Sequence, residues 1–300
     1  RMLELVRALC QHKNFGFAWH TGRVPQQRRR AEINAFKHGG EEIYVGDAFG
    51  LLINGEWIKG ARGKIEPRFL QSYEREDIEH ASPEIEMLKG SKGEAPVEFY
   101  ALRAKPGDDD KPSQAAVMRG LATAVKKLKI EQPQKMQVFL YPDHATKQTL
   151  TGKSGDGHAV QTAHAVHVVR VDPAPNGPLE RLVAHEGAHI LANDAWGVPG
   201  TVLAGEGLAV WVAGTYQGIT LDEWKTKLKD RPPIRDLTTK AFRELPEPTT
   251  YPRAGLFMAA VISQLGLDKA RDIYGASASG FEEACTKAGV TIDKLDEKTK

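Results

Sequence analysis

The sequence predicts an α+β chain whose second half is mostly helical and contains a small sheet. Three observations indicate this class. From about residue 111 onward, the longer segments repeat apolar residues at helical spacing. Two short apolar runs, Met136–Tyr141 and 164–171, have the character of strands and lie between predicted helices. Finally, 41% hydrophobic and 27% charged residues over 300 positions suffice for a sizeable core, which excludes disordered and collagen-like chains.

The composition also limits partners and compartment. No segment approaches the roughly 18 consecutive apolar residues of a membrane-spanning helix, so a membrane is not expected as a partner. Cys10 and Cys285 are too few for a disulfide scaffold and are expected to be buried as small hydrophobic residues. No secretory signal is visible, so the cytoplasm is the default compartment, with secretion open if the native N-terminus lies upstream. The oligomeric state stays open.

Residues 1–45 are predicted to form a short α/β fragment. A helix over the first ten residues precedes a buried strand at 15–19. A second helix at 26–36 begins after a proline and ends before two glycines, and a strand follows at 43–45. The order helix, strand, helix, strand is typical of α/β folds.

Residues 46–110 are predicted to be rich in strands. Asn54-Gly55 lies between two apolar runs, which is a strong signal for a hairpin. Residues 97–103 alternate like a strand, and a proline, a glycine and three aspartates predict a surface linker at 105–112. We place the domain boundaries near residues 46 and 110, which divides the chain into 1–45, 46–110 and 111–300.

The last part of the chain is predicted to contain a series of helices. Ser113 is a suitable N-cap for the first of them, and Pro178 stands at the start of another. The segments predicted here are helices at 113–128, 178–193, 201–215, 221–229, 251–265, 268–274 and 279–288, with the strands at Met136–Tyr141 and 164–171.

The pattern HExxH occurs within the predicted helix at 178–193. His185 and His189 are four residues apart, so both imidazoles lie on one helix face and can reach one ion. Glu186 is turned away from that ion but can take a proton from a water that the ion activates. This predicts a Zn²⁺ site with Glu186 as general base. Two buried, hydrogen-bonded histidines are the structural alternative.

The next predicted helix contains a candidate third ligand. A hydrolytic zinc site needs a third protein ligand and an open position. Glu206 is a lone carboxylate in the apolar run AGEGLAVW, where an uncompensated charge is costly. The sixteen residues between His189 and Glu206 allow a turn and a returning helix. The alternative is a glutamate near a helix start, stabilised by the macrodipole.

The two motifs HEGAHI and GEGLAVWVAG together resemble those of the gluzincin zinc metallopeptidases, particularly the peptidase MA-like branch, over about residues 113–290. The resemblance implies a zincin-like fold and a peptide or protein substrate. It implies one Zn²⁺ ion held by His185, His189 and Glu206, with Glu186 as general base. It also implies an edge strand, just before the active-site helix, to which the substrate adds by backbone pairing. Residues 164–171 stand at the corresponding place.

Related enzymes use a Tyr or His on a later element to stabilise the oxyanion, and Tyr251 is the best candidate by position; a core aromatic residue is the alternative. The exopeptidase signature GxMEN is absent, so the resemblance does not imply aminopeptidase specificity. His158, His164 and His167 lie near the predicted edge strand, where a structural role is favoured over substrate contact.

Residues 1–45 resemble the start of the C-terminal RecA-like lobe of Swi/Snf-type helicases. The matching residues are Leu3, His20, Gly22, Arg29, Ile33 and Phe36. The resemblance stops near residue 46, and the Walker A and DEAH motifs are missing, so ATP hydrolysis is not implied. Eight basic and four acidic residues give this segment a charge of +4, although the whole chain carries +2. We do not expect nucleic acid as a partner, although weak phosphate binding by the basic helix stays open.

The sequence therefore predicts a zinc-dependent peptidase. Two alternatives remain: a catalytically inactive binding or scaffold protein with the zincin fold, and a protein associated with nucleic acid through its basic N-terminal fragment.

Overall fold

The structure is a computed structural model, and it describes the strands at 17–20, 43–46, 51–53 and 56–57 together with residues 84–102 and 109–299. The chain divides into two compact units. The first comprises Arg1–Ile85, Tyr100–Asp108 and Leu140–Gly155, and the second comprises Glu86–Phe99, Asp109–Phe139 and Asp156–Lys300. All candidate site residues belong to the second unit. The boundaries near residues 46 and 110 stay predictions.

The first unit contains a sheet of four short strands. They are β1 (Phe17–His20), β2 (Ile43–Gly46), β3 (Leu51–Ile53) and β4 (Glu56–Trp57), hydrogen-bonded in that order. β1 and β2 are parallel, whereas β3 is antiparallel to both β2 and β4. β1 and β2 overlap the predicted strands at 15–19 and 43–45, and the antiparallel pairing of β3 with β4 agrees with the predicted hairpin, whose turn residues Asn54-Gly55 lie outside the described residues. The helices predicted within the first 36 residues, with the basic run Arg28-Arg29-Arg30 and Cys10, lie outside the described residues.

The remaining elements confirm an α+β chain with a mostly helical second half. In order they are β5 (Glu84–Leu88), β6 (Val97–Ala101), α1 (Lys111–Leu128), β7 (Met136–Tyr141), α2 (His144–Thr151), β8 (Gly157–Val160), β9 (Ala165–Val169), α3 (Pro178–Trp196), α4 (Val202–Ala213), β10 (Thr215–Tyr216), β11 (Ile219–Thr220), α5 (Leu221–Lys227), α6 (Ile234–Leu237), α7 (Ala241–Glu244), α8 (Glu247–Tyr274), α9 (Phe281–Ala288) and α10 (Ile292–Lys298). The predicted helices at 251–265 and 268–274 together form α8, which breaks at Gly266 with a φ of 78°. None of these helices is long and apolar enough to cross a membrane.

A second sheet has five strands in the order β5-β6-β7-β9-β8. β8 and β9 are antiparallel, with Gly157 opposite Val168 and His158 opposite His167. The prediction that 164–171 is an edge strand is therefore wrong, because β9 lies between β7 and β8, and β8 is the edge strand on that side of the sheet. The error has a physical reason: β8 follows a stretch of small and polar residues with no strand periodicity, so only the fully buried β9 was recognisable.

Small residues allow the helices of the second unit to approach closely. α3 packs against α1 and α4, and α4 packs against α8. A β-carbon at Gly120 of α1 would lie 2.6 Å from the Glu180 carbonyl oxygen of α3. Similarly, one at Gly207 of α4 would lie 2.6 Å from the Ala254 carbonyl oxygen of α8. The elements that carry the candidate site residues are thus adjoining helices whose separation depends on glycine.

We expect Gly207→Ala to lower the free energy of unfolding by about 1–3 kcal/mol, because the added methyl group must push α4 away from α8. Gly205→Ala is the matched control: on the same helix, its methyl group would meet only the Pro199 side chain, at 3.2 Å. The replacement of glycine by alanine within a helix is favourable by about 1 kcal/mol, and the Pro199 contact opposes this gain. We therefore expect little net change in the free energy of unfolding. Denaturant titration measures the free energy of unfolding of both variants and of the wild type. Equal stability of the two variants would contradict the packing argument.

Candidate metal centre

Three side chains from α3 and α4 converge on one point. The Oε2 atom of Glu206 lies 3.4 Å from the Nε2 atom of His185 and 3.4 Å from the Nε2 atom of His189. All three ligand atoms lie within 4.8 Å of one another. In the part of the chain that the structure describes, these residues form the one group of three His, Cys, Asp or Glu side chains with such spacing.

The spacing fits a shared cation better than an ion pair. Two ligands bound to a tetrahedral Zn²⁺ ion at about 2.0–2.1 Å lie about 3.3–3.4 Å apart. A charge-assisted N–H···O hydrogen bond is shorter, about 2.7–2.9 Å. The observed 3.4 Å between Glu206 and each imidazole therefore matches an edge of the metal tetrahedron. Two nitrogen donors and one carboxylate oxygen are also a donor set typical of catalytic zinc.

Glu206 is positioned by the start of α4 but does not interact with it as a cap. The Thr201 hydroxyl accepts a hydrogen bond from the Ala204 amide at 3.1 Å and caps the helix. Glu206 is the fifth residue of α4, and the first turn of this helix contains no acidic residue. The alternative of a helix-start glutamate is therefore wrong. Only 14% of its side chain is exposed, so its charge needs compensation.

The electrostatics of the three groups are strongly coupled. Burial disfavours the charged form of Glu206 and by itself would raise its pKa. Hydrogen bonds and favourable charge interactions with the imidazoles of His185 and His189 outweigh this effect and hold the pKa of the carboxyl far below its usual range. Burial likewise opposes a charge on His189, yet the carboxylates of Glu206 and Glu186 raise the pKa of this imidazole. A metal binds the neutral imidazole, so a raised pKa of His189 means that protonation competes with metal binding more strongly as the pH falls.

Glu186 lies on α3 beside the edge strand β8. It is buried, with 8% of its surface exposed. A β-carbon at Gly157 of β8 would lie 3.0 Å from the Glu186 Oε1 atom and 3.1 Å from its Cγ atom. A side chain at this position would therefore require the Glu186 and Leu182 side chains to move, whereas glycine lets the strand pass close to the carboxylate. Sequence reasoning missed Gly157, although a glycine within a strand does indicate a close approach.

Tyr251 lies in the second turn of α8 and is partly exposed. Its ring stacks on Tyr216 with centroids 5.2 Å apart and packs against Phe242 at 5.6 Å. Burial, together with the negative charge of Glu206, raises the pKa of Tyr251 to about 12. The phenol is therefore protonated at neutral pH and can donate a hydrogen bond.

Arg243 of α7 connects Tyr251 with Glu206. Its Nη1 atom donates to the Tyr251 hydroxyl oxygen at 3.0 Å, and its Nη2 atom donates to Glu206 Oε1 at 3.2 Å. Sequence reasoning missed Arg243, because a helix of four residues has no periodicity and no motif surrounds it. Tyr216, in the short hairpin β10–β11, was missed for the same reason.

The three histidines near the sheet have other contacts. His164 forms a hydrogen bond with Asp194, with 3.0 Å between Nε2 and Oδ1. The rings of His158 and His167 stack with centroids 4.6 Å apart, and His167 stacks on Phe139 at the same distance. None of the three belongs to the metal-ligating group among the described residues.

Comparisons with known proteins gave structural matches only. No family model matches the chain, and no curated protein matches it. An M1 zinc metallopeptidase from Deinococcus radiodurans is similar at 14% identity and a TM-score of 0.44, over 72% of this chain and 51% of that one. A Glu-to-Ala mutant of the M1 zinc metallopeptidase from that organism is similar at 14% identity and a TM-score of 0.45, over 72% of this chain and 51% of that one. A two-domain M1 zinc metallopeptidase mutant bound to L-tryptophan is similar at 14% identity and a TM-score of 0.43, over 72% of this chain and 50% of that one. The chain spans about half the length of these solved structures.

Proposed function

We propose that this chain is a zinc-dependent peptidase with a zincin-like fold, in which His185, His189 and Glu206 hold one Zn²⁺ ion. The observation that carries the proposal is the position of one carboxylate oxygen 3.4 Å from two imidazole nitrogens. The resemblance of both motifs to those of gluzincins supports the same ligand set. A zinc ion in this site supplies the Lewis acidity that polarises a peptide carbonyl and lowers the pKa of water.

Glu186 is the general base of the proposed reaction. It is adjacent to His185 in sequence and turned from the face that carries the two imidazoles, which places a carboxylate beside the metal rather than on it. Its role is to remove the proton from the attacking water and to deliver it to the departing amine. Glu186 is 8% exposed, so its side chain is largely shielded from bulk solvent.

Tyr251 is proposed to stabilise the oxyanion. Because its phenol is protonated at neutral pH, it can donate a hydrogen bond to the carbonyl oxygen as that oxygen gains negative charge. Such a donor contributes more to the transition state than to the ground state, which is what a catalytic group requires.

The substrate is proposed to be a peptide that adds to β8 as a further strand. β8 is the edge of the five-stranded sheet and is only partly buried. Backbone pairing at this edge would bring a peptide past Gly157 and therefore past Glu186. The strand that supports this role is Gly157–Val160, rather than the interior strand first predicted for it.

His185→Ala and Glu206→Ala are expected to lose the metal, because two protein ligands hold Zn²⁺ much more weakly than three. His164→Ala is the matched control, since its imidazole is hydrogen-bonded to Asp194 away from the ligand group. Elemental analysis after dialysis measures zinc per chain. We expect about one zinc in the wild type and the control, and little in the other two variants. A wild-type protein without stoichiometric zinc would rule out the proposed function.

Glu186→Gln is expected to keep zinc and to lower the rate of peptide cleavage by about 10²–10⁴-fold, because the amide cannot accept the proton. Glu244→Gln, on the surface next to Lys240, serves as the control for the same chemical change. The rate at which each variant cleaves a mixed peptide library is measured by mass spectrometry. Zinc-loaded protein that cleaves nothing, or a Glu186→Gln variant as active as the wild type, would instead favour the non-catalytic binding protein.

A further inference from the structure

We propose that Arg243 is a positioning residue that determines two features of the site at once: which oxygen of Glu206 faces the metal, and where the hydroxyl hydrogen of Tyr251 points. This inference rests on the proposed function. It concerns a residue that belongs to neither motif and lies 37 positions beyond Glu206 in the sequence.

The two oxygens of Glu206 have different partners. Oε2 faces the Nε2 atoms of His185 and His189, whereas Oε1 accepts a hydrogen bond from Arg243 at 3.2 Å. Since the guanidinium occupies Oε1, the carboxylate offers a cation only Oε2. A carboxylate without this partner could rotate and offer both oxygens. The second oxygen would then take up the open position that a catalytic site must keep for water and substrate.

The same guanidinium orients Tyr251. A guanidinium can only donate hydrogen bonds, so the hydroxyl oxygen of Tyr251 must be the acceptor in its 3.0 Å contact with Nη1 of Arg243. The single hydroxyl hydrogen of Tyr251 therefore points away from Arg243. Among the described residues Arg243 is the one hydrogen-bond partner of this hydroxyl, so its hydrogen stays available for a substrate oxygen.

Both contacts depend on the fork shape of the arginine head group. Nη1 and Nη2 are held in one plane at a fixed separation, which suits two acceptors on different helices. A lysine at position 243 would carry the charge as a single point on a flexible stem and could not hold both partners in this way. The neighbouring Phe242 is buried and packs against Tyr251, so it fixes α7 beside α8.

The exposure of Arg243 separates this role from a structural one. Its side chain is 57% exposed, and an ion pair this accessible contributes little to stability. We therefore expect Arg243→Ala to fold like the wild type. A change in the metal site or in turnover then reports on positioning rather than on unfolding.

The test uses the full chain loaded with Co²⁺ alone, whose visible absorption weakens when its coordination number rises above four. Arg243→Ala is expected to keep the melting temperature but to weaken the cobalt bands. The zinc form of this variant is expected to show a kcat lower by about 10–100-fold with little change in KM, as for other residues that orient metal ligands. Arg243→Lys keeps the charge and most of the packing, but we expect both its cobalt bands and its kcat to stay below those of the wild type. Lys240→Ala is the control, because Lys240 is 88% exposed and pairs only with Glu244 among the described contacts.

A Tyr251→Phe background distinguishes the two effects of Arg243. In the Tyr251→Phe background, Arg243→Ala should still weaken the cobalt bands. It should lower kcat by a smaller factor than it does in the wild type, because no phenolic hydrogen is left to orient. Arg243 variants with the cobalt spectrum and kcat of Lys240→Ala would overturn the inference and leave the proposed peptidase intact. A wild-type chain that binds neither cobalt nor zinc would overturn both.

Discussion

The contact of one carboxylate oxygen with two imidazoles, across the interface of α3 and α4, is the interaction on which the candidate metal site depends. Glu206 is an ionised group on an otherwise apolar helix, and such a charge is strongly unfavourable without compensation. Its compensation comes entirely from side chains that are distant in sequence: His185 and His189 on one oxygen and Arg243 on the other. This carboxylate therefore connects α3, α4 and α7 through its side-chain contacts.

A glycine follows each of the two candidate site carboxylates, Glu186 and Glu206, and lies close to a neighbouring helix. Glu186 is followed by Gly187, where a β-carbon would lie 2.6 Å from the Leu121 side chain of α1. Glu206 is followed by Gly207, which contacts the backbone of α8. In each helix a candidate site carboxylate is thus followed by a glycine that lies close to a neighbouring helix.

The parts of the site that sequence could predict are those encoded by local spacing. His185 and His189 follow from a four-residue helical interval, and Glu206 follows from one charge in an apolar run. The structure places the ligand atoms of these three residues together. Arg243 could not be predicted, because its contacts depend on how a four-residue helix packs, not on any local pattern. The edge strand was assigned to the wrong segment for a related reason: burial makes β9 recognisable, whereas an edge strand rich in small and polar residues gives no such signal. The catalytic roles of Glu186 and Tyr251 stay predictions.

The measurement that tests the central claim most directly is anomalous diffraction at the zinc absorption edge, from crystals of the full chain purified in the presence of zinc. The account predicts one strong anomalous peak about 2.0–2.1 Å from the Nε2 atoms of His185 and His189 and from Oε2 of Glu206. A map with no peak among these three atoms, or with its only zinc peak elsewhere on the chain, would contradict it.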